Sequence, residues 1–167
     1  MEKKKILVFS DVHGDEMAMM RIKEAEKELE TDLLLSLGDL CPDQYNPIWR
    51  GIMGVRGNMD RFYEYGDLPF PPRELILNIE GRRRIIAIHG HEYPSISPER
   101  GDIVLYGHTH VAKSEERDGV YYFNPGSPSR PRSSSGPTFG VLDTESFTLF
   151  SLLDFKRIST LTFSSSQ

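Results

Sequence analysis

Residues 6–14 have the sequence Ile-Leu-Val-Phe-Ser-Asp-Val-His-Gly, in which four apolar residues are followed at once by a polar loop. The same pattern occurs four more times, with apolar runs at residues 33–37, 52–55, 85–88 and 103–106. The loops after these runs contain Gly38-Asp39, Gly57-Asn58-Met59-Asp60, His89-Gly90-His91 and Gly107-His108-Thr109-His110. Short runs rich in Ile, Val and Leu that end at Gly or Asp are typical of strands buried on both faces. Because open α/β sheets bind ligands at the C-terminal ends of their strands, these loops predict a shared functional site.

The rest of the chain contains one helix pattern and several further strand patterns. Ala18, Ile22, Ala25 and Leu29 form one apolar stripe, which predicts a helix over residues 15–30. A helix between two strands predicts a parallel, right-handed crossover. Strands are predicted at residues 74–79 and 83–89 around a turn at residues 80–82, and then at residues 111–117, 120–123, 138–143 and 147–152. We therefore expect a parallel-type first half packed against a mixed or antiparallel second half, without a domain boundary between them.

Composition limits the class of protein further. The 167 residues include 20 basic and 25 acidic side chains, a net charge of −5, and 38% are hydrophobic. This length predicts one domain, and the acidic balance argues against broad, charge-driven binding of nucleic acid. Residues 6–9 are too short for a signal peptide, and no apolar run approaches the roughly 18 residues of a membrane span. The single cysteine, Cys41, excludes an internal disulfide and a zinc site built from cysteines. We expect a cytoplasmic protein.

All five histidines lie in the strand-end loops, at positions His13, His89, His91, His108 and His110. A lone histidine is more often structural than a ligand, so one such residue would indicate little. Five together, beside Asp11, Asp39, Asn58 and Asp60, favour a divalent metal site. Each cation needs several oxygen or nitrogen donors that are fixed in space.

The ordered motifs resemble the calcineurin-like metallophosphoesterase superfamily. They are Asp11-x-His13, Gly38-Asp39, Gly57-Asn58-x-Asp60, His89-Gly90-His91 and Gly107-His108-x-His110. The small size, the His-Gly-His form and the later Asn124-Pro125-Gly126-Ser127 are most similar to its YfcE-type phosphodiesterase branch. The resemblance covers residues 5–152 and implies an α/β fold, two mixed β-sheets packed as a sandwich flanked by helices. We expect a single domain over residues 1–153 and a partly flexible C-terminal extension over residues 154–167.

The resemblance also implies a centre of two divalent metals at the C-terminal ends of the strands. The ligands implied for the first metal are Asp11, His13 and His110, and those for the second are Asn58, His89 and His108. Asp39 would bridge the metals and hold them roughly 3.5–4 Å apart. Asp60 would orient a neighbouring ligand. Taken alone, Asp39 or Asn58 would be better explained as a turn residue.

Charge explains how such a centre would act on a phosphodiester. Two cations neutralise the phosphoryl oxygens and lower the pKa of the water between them, so that a metal-bridging hydroxide can attack in line. A ligand set of nitrogen and oxygen without sulfur suits Mn²⁺, Fe²⁺, Co²⁺, Ni²⁺ and Zn²⁺. The resemblance favours manganese within that group.

Met59 departs from the superfamily pattern. Many members have Gly-Asn-His at this motif, with a histidine thought to protonate the leaving group, whereas a thioether has no proton to donate. The YfcE-type branch also commonly lacks this histidine. We expect a lower rate, with the smallest loss for good leaving groups such as aryl oxides. His91 is a candidate for a substitute acid, and the alternative is a hydrogen-bonding role outside the ligand set.

Substrate contacts are expected after the last of these motifs. Arg130 and Arg132 follow the Asn-Pro-Gly-Ser turn and are suited to binding a phosphate, although an exposed loop of Ser, Pro and Arg is the favoured interpretation. Asn124 is either a pocket residue or the start of a turn. Cys41 is expected to be an inert filler.

The leading prediction is a metal-dependent phosphodiesterase with a small phosphodiester substrate. A non-catalytic scaffold resembling the retromer subunit of the same fold is the second prediction, but a decayed site would have lost ligands that this sequence keeps. A nuclease-like member is disfavoured by the net acidity. A protein phosphatase is disfavoured by the short chain and by Met59. The sequence leaves open whether the chain forms a homo-oligomer.

Overall fold

The computed structural model describes residues 4–79 and 83–164, and within them eleven strands form two mixed sheets. The first sheet contains β1 (Ile6–Phe9), β2 (Leu33–Ser36), β3 (Met53–Gly54), β9 (Thr138–Leu142), β10 (Ser146–Ser151) and β11 (Arg157–Thr162). The second contains β4 (Glu74–Ile79), β5 (Arg83–Ile88), β6 (Ile103–Leu105), β7 (Lys113–Arg117) and β8 (Val120–Asn124). The helices are α1 (Glu16–Glu28), the short α2 (Phe62–Tyr65) and a 3₁₀ turn at Pro47–Trp49. This is the two-sheet α/β architecture that the sequence predicted.

The strand order explains how the two halves of the chain combine. In the first sheet the order is β11-β10-β9-β1-β2-β3, with β1, β2 and β3 parallel and the other three antiparallel. In the second it is β4-β5-β6-β8-β7, with parallel pairing from β5 through β6 to β8. The parallel first half is therefore confirmed. The second half, however, contributes to both sheets. β9 pairs with β1 on the side opposite β2, so the last three strands extend the first sheet.

The core lies between the sheets and on the outer face of the first sheet. Phe123 of β8 stacks on Phe147 of β10 with ring centroids 4.4 Å apart, and both side chains are fully buried. Each such side chain contributes about 1.5–3 kcal/mol by leaving water. The outer face of the first sheet packs against α1 through Leu7, Phe9 and Ile22. These contacts fix the positions of the strand ends that carry the polar loops.

Helix α1 forms where the apolar stripe predicted it. Asp15 caps its N-terminus, because its carboxylate accepts a hydrogen bond from the backbone N–H of Ala18 at 3.0 Å. Ala18, Ile22 and Ala25 are buried against the sheet. Leu29 is the C-cap residue and is only partly buried. The helix connects the parallel strands β1 and β2, as the strand–helix–strand order indicated.

Two strands differ from the prediction. β3 has only two residues at the edge of its sheet, and Met53 is exposed, so the run at residues 52–55 is not buried on both faces. β11 was not predicted, and it lies within the segment expected to be a C-terminal extension. The predicted turn at residues 80–82 and the tail beyond residue 164 lie outside the described residues. Within the described part of the chain, no helix has the length and apolar character needed to cross a membrane.

Candidate metal centre

Two pairs of hydrogen-bonded loops form the candidate site, one pair from each sheet. After β1 and β2, the backbone N–H of Asp11 donates to the carbonyl of Gly38, and that of His13 donates to the carbonyl of Asp39. After β5 and β6, the N–H of Gly107 donates to the carbonyl of His89. Parallel pairing places these loops at the same sheet edges, which brings side chains distant in sequence together.

The first potential ligand group consists of Asp11, His13 and His110, whose ligand atoms all lie within 4.8 Å of one another. His110 Nε2 lies 3.3 Å from Asp11 Oδ1 and 3.3 Å from His13 Nε2. His13 Nε2 lies 3.8 Å from Asp11 Oδ1. Three donor atoms converge on one small volume, as a bound cation requires.

The second potential ligand group consists of Asp11, Asp39 and His89, all of them buried. His89 Nε2 lies 3.3 Å from Asp39 Oδ2 and 3.8 Å from Asp11 Oδ1. His108 joins this group, because its Nδ1 lies 3.3 Å from His89 Nε2. Asp39 Oδ2 also lies 3.7 Å from His13 Nε2 of the first group. Both carboxylates, Asp11 as well as Asp39, therefore lie between the two sets of histidines.

The Asp11 carboxylate shows that this constellation suits cations. Oδ2 accepts hydrogen bonds from Ser10 Oγ at 2.6 Å and from the His108 N–H at 2.9 Å. Oδ1 is buried and has no hydrogen-bond partner among the described residues. A buried anionic oxygen without a partner is costly, and a metal ion would compensate its charge. The oxygen and nitrogen donors around it agree with the divalent transition metals.

Hydrogen bonds on the far side of the imidazole rings orient two of the histidines. His89 Nδ1–H donates to the Leu37 carbonyl at 2.7 Å, and His110 Nδ1–H donates to the Arg130 carbonyl at 2.8 Å. While each ring is neutral, this bond keeps the proton on Nδ1 and leaves Nε2 free to face the carboxylates, which is the tautomer that a metal ligand needs.

Asp60 lies outside the two ligand groups and holds the loop of Asp39. Its Oδ2 accepts from the backbone N–H of Asp39 at 2.9 Å and of Gly57 at 2.7 Å. Its Oδ1 accepts from the Cys41 N–H at 3.0 Å and from the Tyr65 hydroxyl at 2.8 Å. Burial, with Asp60 beside it, raises the pKa of Tyr65, so the hydroxyl remains a donor. No sequence motif indicates Tyr65, since its spacing from Asp60 follows no recognisable pattern.

Asn58 and Met59 lie on the exposed side of the centre. The Met59 N–H donates to Asp39 Oδ1 at 2.8 Å, which fixes the second oxygen of that carboxylate. Asn58 is exposed, and its side chain has no hydrogen-bond partner within the described part of the chain. Its amide is therefore not held to the other predicted ligands in this structure.

His91 and Cys41 lie beside the ligand groups. His91 is exposed, with its ring centroid 5.4 Å from that of His89, and its Nε2 lies 3.3 Å from Glu92 Oε1. Burial, followed by the negative charge of Asp60, raises the pKa of the Cys41 thiol to about 12. The thiol therefore stays protonated at neutral pH in the protein without metal, which agrees with an inert side chain.

The Asn-Pro-Gly-Ser segment supports the ligand loops through hydrogen bonds. Asn124 ends β8 and is fully buried, and its Nδ2 donates to the Gly107 carbonyl at 3.1 Å and to Thr109 Oγ1 at 3.0 Å. Ser127 Oγ donates to the Asp11 carbonyl at 2.9 Å. The sequence left Asn124 as either a pocket residue or the start of a turn. Its side chain accepts from the Gly126 N–H, as in a turn, and it supports the loop of His108 and His110.

Arg130 is exposed at the edge of the centre, and Arg132 is exposed nearby. Burial lowers the pKa of His13, and the positive charge of Arg130 lowers it further. The backbone N–H of Arg132 donates to the His110 carbonyl. Both arginines therefore contact His110 through their backbone, Arg130 through its carbonyl and Arg132 through its N–H.

Several candidate ligands have a strained backbone. Asp11, His13, Asp39, His108 and His110 have positive φ angles between 51° and 72°. This left-handed region is unfavourable for residues other than glycine, and it persists where the surrounding structure enforces it, often at functional sites. The hydrogen bonds of the paired loops supply that enforcement here.

The pKa shifts indicate a centre that exchanges protons for cations. Burial raises the pKa of Asp39, but the hydrogen bond and charge of His89 outweigh it, and the pKa is held below its usual range. Burial lowers the pKa of His89, but the hydrogen bond to Asp39 and the charge of Asp11 outweigh it, and the pKa is raised. Burial lowers the pKa of His108. His89 therefore keeps a proton to a higher pH than an ordinary histidine does, and a metal ion would have to displace that proton.

Comparisons with known proteins show the family of this chain. A model of the calcineurin-like phosphoesterase superfamily domain matches residues 5–146. Phosphodiesterase YfcE of Escherichia coli (strain K12) is 30% identical over 173 residues, 90% of this chain and 93% of that protein. The probable metallophosphoesterase YsnB of Bacillus subtilis is 30% identical over 150 residues, 84% of each chain. The solved structure of E. coli YfcE, a phosphoesterase, has a TM-score of 0.84 at 25% identity, covering 96% of this chain and 100% of that chain.

The fold also occurs in Vps29, a vacuolar protein sorting protein by name. Vps29 of Entamoeba histolytica, solved in complex with Zn²⁺, has a TM-score of 0.63 at 22% identity, covering 96% of this chain and 99% of that one. At that identity the likeness shows the fold alone. The family model, by contrast, spans most of the chain and all five motif loops. The chain therefore belongs to the calcineurin-like phosphoesterase superfamily.

Proposed function

We propose that this chain, a phosphoesterase by family, hydrolyses small phosphodiesters at a centre of two divalent metals. The observation that carries the proposal is Asp11 Oδ1, a buried and unpartnered carboxylate oxygen within 3.8 Å of His13 Nε2, His89 Nε2 and His110 Nε2. The name of the E. coli relative, phosphodiesterase YfcE, supports a diester as the substrate.

The ligands divide between two metal positions. We assign Asp11, His13 and His110 to the first position and His89, His108 and Asn58 to the second. Asp39 lies between His13 and His89 and would serve both metals. Asp11 is close to both groups as well, so it would add to the shared negative charge. Asn58 would turn inward when a cation offers a partner for its carbonyl oxygen.

The residues of the chain prepare the centre for the reaction. When bound, two cations supply charge that neutralises phosphoryl oxygens and lowers the pKa of a water molecule between them. Asp60 holds the Asp39 loop in place, and the Leu37 carbonyl fixes the ring of His89. Arg130, beside His13, would bind a phosphate oxygen and orient the ester. Orienting the ester in this way lowers the activation barrier of hydrolysis, because the substrate loses its rotational and translational entropy when it binds and not in the chemical step.

Departure of the alcohol is the step that this chain assists least. Met59 cannot donate a proton, and His91 is the nearest exposed imidazole to the second ligand group. Diesters with aryl leaving groups need no proton on departure, so they should be hydrolysed fastest.

Further predictions belong to this proposal. Manganese remains the preferred metal. The substrate is a small phosphodiester rather than a nucleic acid, and the protein acts in the cytoplasm as one domain over residues 1–153. Self-association into a homo-oligomer is compatible with these assignments. The scaffold alternative is disfavoured, because the described residues retain two overlapping ligand groups.

The test is a metal-dependent assay. Metal-free protein is supplied with Mn²⁺ and given bis(p-nitrophenyl) phosphate, the matching monoester and 2′,3′-cyclic nucleotides. We expect Mn²⁺-dependent hydrolysis with preference for the aryl diester, and loss of that activity in Asp39→Ala and His89→Ala. The matched control is Asp43→Ala, which removes an exposed carboxylate of the same loop region. Full activity after Asp39→Ala or His89→Ala would refute the assigned site.

A further inference from the structure

A single buried hydroxyl connects two candidate ligands of the first metal position. Ser127 follows the turn at the end of β8, and its side chain is fully buried. Its Oγ accepts hydrogen bonds from the backbone N–H of Arg130 at 2.8 Å and of Ser129 at 3.3 Å. Its own proton goes to the carbonyl of Asp11 at 2.9 Å. Because a backbone N–H can only donate and the hydroxyl has one proton, the direction of each of these hydrogen bonds is fixed.

Arg130 carries this connection on to His110. The Arg130 carbonyl accepts the Nδ1–H of His110 at 2.8 Å, while the N–H of the same arginine is bound by Ser127. Pro131 follows Arg130 and disfavours the helical backbone conformation for it. The direction of the Arg130 carbonyl therefore depends on the Ser127 hydroxyl. The direction in which His110 Nε2 points depends on it as well, because the hydrogen bond on the far side of an imidazole ring orients the ligand nitrogen.

Asp11 depends on the same hydroxyl through its backbone. Its φ angle is 61° and that of His110 is 64°, and such left-handed conformations persist only where the surrounding structure enforces them. Ser129 Oγ also lies 3.2 Å from the Asp11 carbonyl, but its one proton has a nearer acceptor, the Val12 carbonyl at 2.8 Å. Ser127 is therefore the main side-chain donor that holds the Asp11 carbonyl.

The contacts that hold the second metal position are different. His89 is fixed by the Leu37 carbonyl. The Asp11 carboxylate, which lies near both positions, accepts from Ser10 Oγ and from the His108 N–H. None of these bonds involves the buried hydroxyl described above. Its loss should therefore disturb the first metal position much more than the second.

We propose that Ser127 is a positioning residue for the first metal position. It acts through Asp11 and His110, and it contacts neither a metal nor the substrate itself. Without its hydroxyl, the affinities of the two metal positions should separate, with the first position becoming the weaker. This inference rests on the proposed function, because it concerns the same metal centre.

A calorimetric titration of metal-free protein with Mn²⁺ tests the selective effect. Ser127→Ala removes the hydroxyl. The matched control is Thr138→Val, which removes another fully buried hydroxyl of this region, one that donates to the Pro125 carbonyl at 2.6 Å rather than to a ligand loop. We expect Ser127→Ala to bind one Mn²⁺ about 10- to 100-fold more weakly than the parent and the other within about threefold of it. Thr138→Val should bind both as the parent does.

Nuclear magnetic resonance of the histidine ring nitrogens tests the same inference without any metal. The spectra are recorded at pH ~8.5, well above the ordinary pKa of imidazole. In the parent, His110 should carry its proton on Nδ1. In Ser127→Ala, the two ring-nitrogen signals of His110 should move toward each other as the two tautomers mix, whereas those of His89 should not change. A purely structural loss of stability would not select one histidine in this way.

The outcomes separate this inference from the proposed function. A parent that binds no Mn²⁺ would overturn both. If the parent binds two Mn²⁺, the inference alone is overturned when Ser127→Ala binds as the parent does, weakens both positions equally, or behaves as Thr138→Val does. A proton on Nε2 of His110 in the metal-free parent would also overturn it. That last measurement needs no variant, so it decides even if Ser127→Ala does not fold.

Discussion

Met59 lies one residue beyond the candidate ligand Asn58, and its side chain is 46% exposed. A histidine at this position needs no repacking, and the backbone N–H would still donate to Asp39 Oδ1. We predict that Met59→His raises the rate on alkyl phosphodiesters about tenfold or more, with little change on aryl diesters, because only poor leaving groups need a proton. Rates on the two esters, with Met59→Gln as the control, check this. Equal rates on alkyl esters for the parent and Met59→His would contradict the view that Met59 leaves this chain without a proton donor for the leaving group.

His89 predicts how metal affinity depends on pH. Its pKa in the metal-free protein is raised above the ordinary value of 6.5, despite burial, by the hydrogen bond to Asp39 and the charge of Asp11. Metal binding needs the neutral ring, so the bound proton must leave. The affinity for Mn²⁺ should therefore increase as the pH rises through the pKa of His89. At pH values below that pKa the affinity should be weaker. Calorimetry at pH ~6.5, in two buffers of different ionisation enthalpy, should show net proton release that His89→Gln reduces. No release, or uptake, would contradict the assignment.

The sequence predicted which residues lie at the candidate centre better than it predicted how they are arranged. The strand-end loops of Asp11, His13, Asp39, His89 and His110 converge as the motifs indicated. That Asp11 touches both ligand groups depends on a rotamer set by its neighbour Ser10 and by the His108 N–H, and the second contact joins distant loops that no local pattern encodes. The buried role of Asn124 was hidden for the same reason.

The loop after β6 approaches the loop after β1 so closely that only glycine suits position 107. A Cβ atom on Gly107 would lie 2.0 Å from Ser10 Oγ and 2.7 Å from Asp11 Oδ2. We predict that Gly107→Ala weakens Mn²⁺ binding about 10- to 100-fold, because the hydrogen bonds that orient Asp11 must shift. Gly136→Ala, where no atom lies within 4 Å, should keep the parent affinity and cost only about 1 kcal/mol of backbone strain. Equal affinities in the two variants would contradict this account of the loops.

The elements that could be predicted are those with a clear burial pattern. β1 and α1 have one, since all of β1 and one face of α1 are buried. β11 has none, because five of its six residues are exposed and its stability comes from pairing with β10. The two-residue β3 is likewise an edge strand that depends on β2. β11 follows its neighbour rather than its own sequence, so a pattern of burial misses it.

The candidate centre joins the two sheets of the molecule. Asp11 and Asp39 follow strands of the first sheet, whereas His89 and His110 follow strands of the second. Because a metal bound here binds only the folded chain, Mn²⁺ at 100 times its Kd should stabilise the protein by about 2.7 kcal/mol. For a chain of this length that is roughly 5–10 °C in Tm. Thermal unfolding with and without Mn²⁺ measures it, and Asp11→Asn should abolish the shift. The same shift in Asp11→Asn would place the metal elsewhere.

The central claim is that two metals at this inter-sheet centre carry out hydrolysis of a phosphodiester. The most direct measurement titrates metal-free protein with Mn²⁺ and records bound metal and the rate on bis(p-nitrophenyl) phosphate in the same samples. The account predicts that activity reaches its plateau at two Mn²⁺ per chain, and that Asp39→Ala binds less metal and is inactive. Activity that is complete without metal, or that is unchanged in Asp39→Ala, would contradict it.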